Sequence, residues 1–439
     1  MCKSKKQLSN DVIEPSNSPH SNNFSTMPRK SSSRKSNKSH KSSSSTDPNS
    51  SSLSNNNSIP STGSSYYYKD SWVTTSNSSS GPPLSRLREN LSEKPHIYDL
   101  SEIAAATNNF SLKPFSSSSS STSWKCSIRG QNVILIQRKF RRPMNVSELV
   151  DRLGVICRSH HSSFVKLMGA TISGNYIYLV YEYIQGGSLA DCLRNPRNPH
   201  FTVLSDWLTR VKIAEEIAHG LEYIHHSTGL GCNFVHNHIK STSIIISTNT
   251  LNAKICHFGT AQLCGEITMD TEEDSKKRGG KMPEFKRSGS GAMKLEGIRG
   301  YMAPEFQQTG VASEKSDVYA FGVVILELLS GQEALKHRFD EEWGGYVRVS
   351  VIETAKAAVE EGGGGVRRWV DKRLKDSYPV DVVEKLARLG LECVAEDPVN
   401  RPDMGWVVGR ISHLYIESQK WVEKMGGLPT DFSVSLAPR

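Results

Sequence analysis

The hydrophobic period of this chain changes once, and the change limits what it can fold into. Up to about Tyr183 the apolar runs are short, β-branched and aromatic. Val133-Ile134-Leu135-Ile136 and Tyr176-Ile177-Tyr178-Leu179-Val180-Tyr181 read as strands. One helix, Val146 to Cys157, is predicted between them. From Ser205 onward, Trp207, Val211, Ala214, Ile217, Leu221 and Ile224 recur at helical spacing. Ser316 to Gly331, Val382 to Val394 and Met404 to Val422 read as further helices, with Gly362 to Gly365 a flexible joint. The pattern predicts an α+β chain: a small antiparallel β lobe followed by a larger α-helical lobe.

Order is expected to begin near Tyr98, with Ser101 to Thr107 a short capped helix. Residues 1–95 are rich in Ser and Asn, poor in aliphatics and broken by Pro, so they cannot bury enough apolar surface to offset ordering entropy. The expected organisation is a disordered basic region at 1–95, a folded domain at 96–425 and a tail at 426–439. The chain carries a formal net charge of +9, and residues 1–41 hold nine basic groups against two acidic ones. Cys2 excludes N-myristoylation, which needs Gly there, but a cysteine beside Lys3, Lys5 and Lys6 suits S-palmitoylation at an anionic membrane surface. No apolar run reaches the roughly 20 residues of a membrane helix; Val318 to Leu329 comes nearest and carries Glu327. The 8 cysteines are scattered without a Cys-x-x-Cys pair, which fits a reducing cytosol. Residues 1–41 have no interleaved aromatics beyond Phe24, which argues against a nucleic-acid partner.

Motifs in order give a more specific reading. Phe164-Val165-Lys166-Leu167-Met168-Gly169 precedes Leu179-Val180-Tyr181-Glu182-Tyr183 and Gly186-Gly187-Ser188-Leu189. Gly300-Tyr301-Met302-Ala303-Pro304-Glu305, Asp317-Val318-Tyr319-Ala320-Phe321-Gly322 and Arg401-Pro402 follow. Over about residues 97–423 the chain resembles a plant receptor-like protein kinase in its cytoplasmic form, of the LysM-receptor type. The resemblance implies a bilobal kinase-like fold. It also implies that Glu305 and Arg401 form an ion pair, that Asp317 anchors the loop around His236, and that His236, Phe258 and Gly259 are structural.

The same resemblance points to missing chemistry. A kinase catalytic loop reads His-Arg-Asp-x-Lys-x-x-Asn. Here His236 and Lys240 hold their places, whereas Asn237, His238 and Ser243 stand at the Arg, the catalytic Asp and the metal-binding Asn. Asp-Phe-Gly reads His257-Phe258-Gly259. The phosphate-binding lysine aligns with Ile136, or with Gln137 after a one-residue slip; Lys139 would need a bulge to point inward. Arg152 takes the place of the helix Glu that pairs with that lysine, with Asp151 or Glu148 as surrogates if the register differs. Serines 116–121 replace the glycine-rich loop. Tyr181, Glu182 and Tyr183 are the cleft and hinge candidates. Mg²⁺ wants oxygen ligands, so these substitutions argue against it, while leaving room for ATP without firm metal dependence. No metal site is expected; His238 and His257 with Cys256 would need further ligands to hold zinc.

The expectation is therefore a catalytically impaired kinase-like signalling protein, a pseudokinase. It would dock on active protein kinases or receptor kinases, in the cytoplasm or peripherally at the plasma membrane. The rival expectation is an atypical active Ser/Thr kinase transferring the γ-phosphate of ATP. The basic segment between Gly259 and Glu305, with Lys276-Lys277-Arg278, reads as a loop.

Overall fold

A computed structural model describes residues 96–118, 120–142, 144–227, 234–267, 300–340 and 344–426. Cys2, the basic Ser/Asn-rich region, the Lys276-Lys277-Arg278 cluster and residues 427–439 lie outside the described residues. The small lobe runs β1 (His96–Ile97), α1 (Leu100–Ala106), β2 (Ser116–Ser117), β3 (Ser121–Ile128), β4 (Gln131–Lys139), α2 (Val146–Cys157), β5 (Leu167–Ser173) and β6 (Tyr176–Glu182). Its six strands are ordered β1-β5-β6-β4-β3-β2. The sheet is mixed rather than purely antiparallel, because the two residues of β1 pair parallel with Gly169 and Ala170 of β5.

Alternation along β4 sends Val133 and Leu135 to one face and Ile136 to the other. The first pair packs with Trp124, Tyr178, Val180 and Ile103 of α1. Ile136 joins Leu149, Leu153 and Ile156 of α2 in the main core. The sheet is thus covered on both sides, which is why its strands read as nearly continuous apolar runs. Helix α1 starts at Leu100, earlier than predicted, and no side chain caps it: Asp99 holds the N-cap position without a capping hydrogen bond. By contrast, the Asn145 side chain accepts from the Glu148 N–H at the start of α2.

The larger lobe contains β7 (Gly186–Ser188), α3 (Leu189–Arg194), α4 (Trp207–Glu222), β8 (Ile244–Ser247), β9 (Ala253–Ile255), α5 (Thr260–Leu263), α6 (Pro304–Thr309) and α7 (Glu314–Ser330). It continues with β10 (Leu335–Asp340), β11 (Gly345–Ser350), α8 (Val351–Glu360), α9 (Gly363–Trp369), α10 (Val380–Cys393) and α11 (Met404–Gly426). Strands β7, β8 and β9 form a small sheet that carries the loop around His236 and the segment from His257. Helix α7 is nearly all buried and begins with a reciprocal Ser313/Ser316 capping box. Glu327, near its C-terminal end, bonds Arg194 at 2.9 Å and accepts from Tyr301 Oη at 2.6 Å, so a carboxylate is tolerated in an apolar helix.

Two expectations fail in this lobe. Leu335–Asp340 and Gly345–Ser350 pair as antiparallel strands, β10 and β11, that the helical pattern did not suggest. Glycines 363–365 are no joint: they open α9, with Gly362 at φ 78° as its N-cap. A Cβ on Gly365 would sit 2.5 Å from the Ala358 carbonyl oxygen, so α8 and α9 pack too closely for a larger residue. Among the described residues, no helix is long and apolar enough to cross a membrane.

Candidate functional site: the cleft between the lobes

The floor of the cleft is held by one buried carboxylate. Asp317 accepts from the backbone N–H of His236 at 2.6 Å and of Asn237 at 2.8 Å, with His225 Nε2 at 3.2 Å. Asn237 adopts a left-handed φ of 61° in this turn. His236 stacks on Phe164 at 6.2 Å, Phe164 lies 4.7 Å from Phe258, and Phe258 lies 5.4 Å from Phe234. Burial pushes the His236 imidazole down to about 4, although Asp317 pulls the other way. His236 is therefore a neutral member of an aromatic column.

The wall of the cleft comes from β4. Ile136 is 6% exposed and packs in the core, so the position that aligns with the phosphate-binding lysine offers no charge. Lys139 does not take its place. It pairs in register with Tyr176, without a bulge, and is exposed. Gln137, on the same face as Lys139, bonds Tyr178 Oη at 2.9 Å. The cation in the cleft is Arg138, which shares the face of Ile136. Its Nη2 lies 3.1 Å from Glu266 Oε1 and its Nη1 lies 3.2 Å from His238 Nε2.

Glu266 completes the cluster. Its Oε2 is 3.0 Å from His238 Nε2 and 3.4 Å from Asn237 Nδ2. A single imidazole nitrogen cannot donate to Glu266 and accept from Arg138 at once. The shorter contact and the charge both favour an Nε2–H donated to Glu266. Burial pushes the Glu266 carboxyl up, but His238 foremost, then Arg138 and Arg141, outweigh it and hold it down to about 2. His238, standing where a catalytic Asp is expected, is thus occupied by an internal carboxylate. Lys240 makes no hydrogen bond or ion pair with a described residue. Burial first, and Arg138 second, lower its pKa.

A second set of contacts fixes α2. Arg152 forms an ion pair with Glu148 at 2.7 Å and donates to the Gln262 carbonyl at 2.6 Å. The Gln262 amide donates in turn to the Val235 carbonyl at 2.7 Å. Neither surrogate acid serves the wall: Glu148 is held by Arg152 and Asp151 is exposed. Gly259, at φ 75°, lets this segment approach α2, since a Cβ there would meet Ile156 Cγ2 at 2.7 Å. From β6, Tyr181 bonds the Phe258 carbonyl at 2.8 Å and the Thr260 hydroxyl at 2.9 Å, and its buried phenol is pushed well above its ordinary pKa.

At the hinge, the Glu182 carboxylate accepts from the Lys166 N–H at 2.8 Å, while the Tyr183 ring lies 3.7 Å from Lys125 Nζ. The hydroxyls of Ser118 and Ser121 lie 3.0 Å apart, so the serines at the glycine-loop position bond within their own hairpin. Glu305 and Arg401 pair through two contacts of 2.7 Å, and Arg401 also donates to the carbonyls of Ala395, Lys315 and Glu396.

The residues present do not fit Mg²⁺. Ser243 Oγ and His257 Nδ1 are buried without hydrogen-bond partners, one a neutral hydroxyl and the other an imidazole nitrogen. Burial and then His238 hold the His257 pKa well below its ordinary value. The carboxylate bonded to His238, Glu266, is engaged by Arg138 and His238. Among the described residues, no three His, Cys, Asp or Glu side chains converge to hold a metal, and burial pushes the Cys256 thiol up to about 12. Sequence reasoning missed Arg138 and Glu266. Strand alternation past Ile136 could have found the first; no local pattern marks the second.

The chain matches the protein kinase domain family over residues 134–409. LysM domain receptor-like kinase 3 of Arabidopsis thaliana is 31% identical over 353 residues, 78% of this chain and 50% of that protein. Chitin elicitor receptor kinase 1 of the same plant is 33% identical over 343 residues, 77% of this chain and 49% of that protein. The chain spans about half the length of these relatives. Among solved structures, the pseudokinase domain of BIR2, an immune regulator of the RLK/Pelle family, aligns with a TM-score of 0.54 at 25% identity. That alignment covers 78% of this chain and 94% of the other.

Proposed function

The chain belongs to the protein kinase domain family, with plant LysM receptor-like kinases among its relatives, and on that premise we propose that it is a catalytically impaired signalling member. It acts by docking on active kinases rather than by phosphorylating substrates. One observation carries this reading: His238, which aligns with the catalytic base, is bonded to the Arg138-paired carboxylate of Glu266, and the positions that align with the metal ligands are Ser243 and His257. Phosphoryl transfer depends on positioned cations and carboxylate-held Mg²⁺, and each loss acts on the same transition state. The kinase relatives and the pseudokinase neighbour support receptor kinases as the partner class.

A specific observation keeps the rival reading in view. Arg138 brings a guanidinium into the cleft, and Lys240 is retained. Phosphotransfer by the purified full chain, measured with labelled ATP and Mg²⁺ or Mn²⁺ on a generic Ser/Thr substrate, separates the two. The pseudokinase reading expects no turnover above a denatured control. Robust metal-dependent turnover that disappears on Lys240→Ala would establish the active kinase instead.

A further inference from the structure

Away from the cleft, strands β10 and β11 turn one face toward helices α8 and α9. Lys336 lies opposite Val349 and Arg338 opposite Val347, so the two cations share that face. With Arg368 of α9 they line a cavity of about 430 Å³. Its floor is small residues, Ala357 and Ala358 of α8 and Gly365 of α9, which bring no counter-charge. A Cβ on Gly365 would lie 2.5 Å from the Ala358 carbonyl oxygen, so the two helices close that floor tightly. Trp369 Nε1 donates to Thr354 Oγ1 at 3.0 Å and fixes one wall. The lining holds three cations and one acid, Glu361, a net charge of +2. Glu361 pairs with Arg368, but both side chains are well exposed, so water weakens the pair. Arg338 is exposed and makes no hydrogen bond or ion pair with another described residue. Lys336 gives one N–H to Gln332 Oε1 at 3.0 Å and keeps two.

We propose that this groove docks a phosphate monoester carried on a partner's polypeptide, held chiefly by Arg338 and Lys336, with Arg368 leaving Glu361 to join them. The proposal rests on the reading that the chain acts by docking on active kinases, and it names what is recognised there: a phosphorylated Ser or Thr of the partner. A phosphate monoester carries about −1.5 to −2 charge at neutral pH, which matches the net charge of the lining. An arginine fork with a lysine beside it suits its oxygens, whereas a carboxylate brings less charge and fewer acceptors. The groove is concave, so it takes one inserted group and not a flat surface. Asp340, Glu341 and Glu342 follow Arg338 in the sequence, and that acidic run opposes contact with an anionic membrane. Arg348 and His337 lie opposite each other on the other face of the two strands, outside the cavity, and supply a control of the same charge type.

Peptide arrays centred on phosphoserine and phosphothreonine, with unphosphorylated and Asp-centred twins, are probed with the purified full chain. The expected result is retention of phosphorylated peptides alone, competed away by inorganic phosphate. The best-retained peptide is then titrated by fluorescence anisotropy. Arg338→Ala and Lys336→Ala should each weaken binding about tenfold, and Glu361→Gln should tighten it. Arg348→Ala removes the same charge from the other face and should leave binding unchanged. Each variant is first matched to the parent by thermal melting. The proposal is overturned if the folded chain retains no phosphopeptide, if the Asp-centred twins bind equally, or if Arg338→Ala binds like the parent. It is also overturned if Arg348→Ala weakens binding as much as Arg338→Ala, because the effect would then be general charge. Binding to vesicles of equal parts phosphatidylcholine and phosphatidylserine that Arg338→Ala removes, with no phosphopeptide retained, would assign the groove to a membrane surface instead. ATP turnover in the same preparations is a separate readout. Metal-dependent turnover would overturn the functional reading, whereas a folded, inactive chain that ignores every phosphopeptide would overturn only this one.

Discussion

Side chains alternate along β4, so Ile134, Ile136 and Arg138 share one face, and burial of the first two carries the third into the cleft. Once there, a guanidinium 10% exposed needs a counter-charge, and Glu266 supplies it. Arg138→Ala should leave that carboxylate with His238, Asn237 and the charge of Arg141, costing about 3 kcal/mol by urea unfolding. A cost near zero would mean the pair is solvated. His236 adds a pH signature. Its imidazole titrates near 6.5 in an unfolded chain and near 4 when buried here. Between those values the unfolded chain binds a proton that the folded protein refuses, so stability falls as pH drops from about 6.5 to about 4. Glu266, held near 2 against an ordinary 4.5, contributes stability that is present above about 4.5 and lost as pH falls toward 2. Urea midpoints at pH 7 and pH 5 should therefore differ in the parent. The difference should shrink in His236→Phe, which keeps the ring stack without the titration, while the buried His257, also held well below its ordinary pKa, keeps part of the slope; an unchanged pH slope would remove His236 as a source.

At the scale of elements, α2 is tied to the segment after His257 by the Arg152–Gln262 contact and by the close approach of Gly259 to Ile156. Gly259→Ala meets both a positive φ and a 2.7 Å clash, so it should cost about 2–3 kcal/mol and speed amide exchange across residues 260–263. Exchange confined to its parent rate would show that α2 and α5 move independently. Helix α2 could be read from sequence because its apolar spacing and Asn145 cap are local. The β10–β11 pair could not: Lys336, His337, Arg338 and Arg348 interrupt the apolar alternation that would mark its strands. The glycines of 363–365 misled for a related reason. Composition suggests freedom, whereas here it serves the tight contact of α8 with α9. Glu266 was beyond local reading altogether, because its role depends on a turn that brings it back to a strand more than a hundred residues earlier.

At the scale of the molecule, the motifs that give the fold away are those whose partners lie far off in sequence. Glu305 and Arg401 join the first turn of α6 to the turn before α11. Arg401 has no side-chain exposure, makes five hydrogen bonds and lies 5.0 Å over the Tyr319 ring, whereas the Glu305 side chain is 22% exposed. Removing either strands part of the other, but not equally. Glu305→Ala leaves a buried guanidinium that still has three carbonyl acceptors. Arg401→Ala leaves a carboxylate that can turn toward water, but also three orphaned carbonyls and a cavity. Both should be strongly destabilising, by about 3–5 kcal/mol, with Arg401→Ala the worse. The paired change Glu305→Gln with Arg401→Met should cost less than the sum of its single changes, because neither variant side chain leaves a charge unmatched. Urea unfolding of the four proteins in a double-mutant cycle measures the coupling. A coupling energy near zero would mean that the fold is held by packing around these side chains and not by their charges.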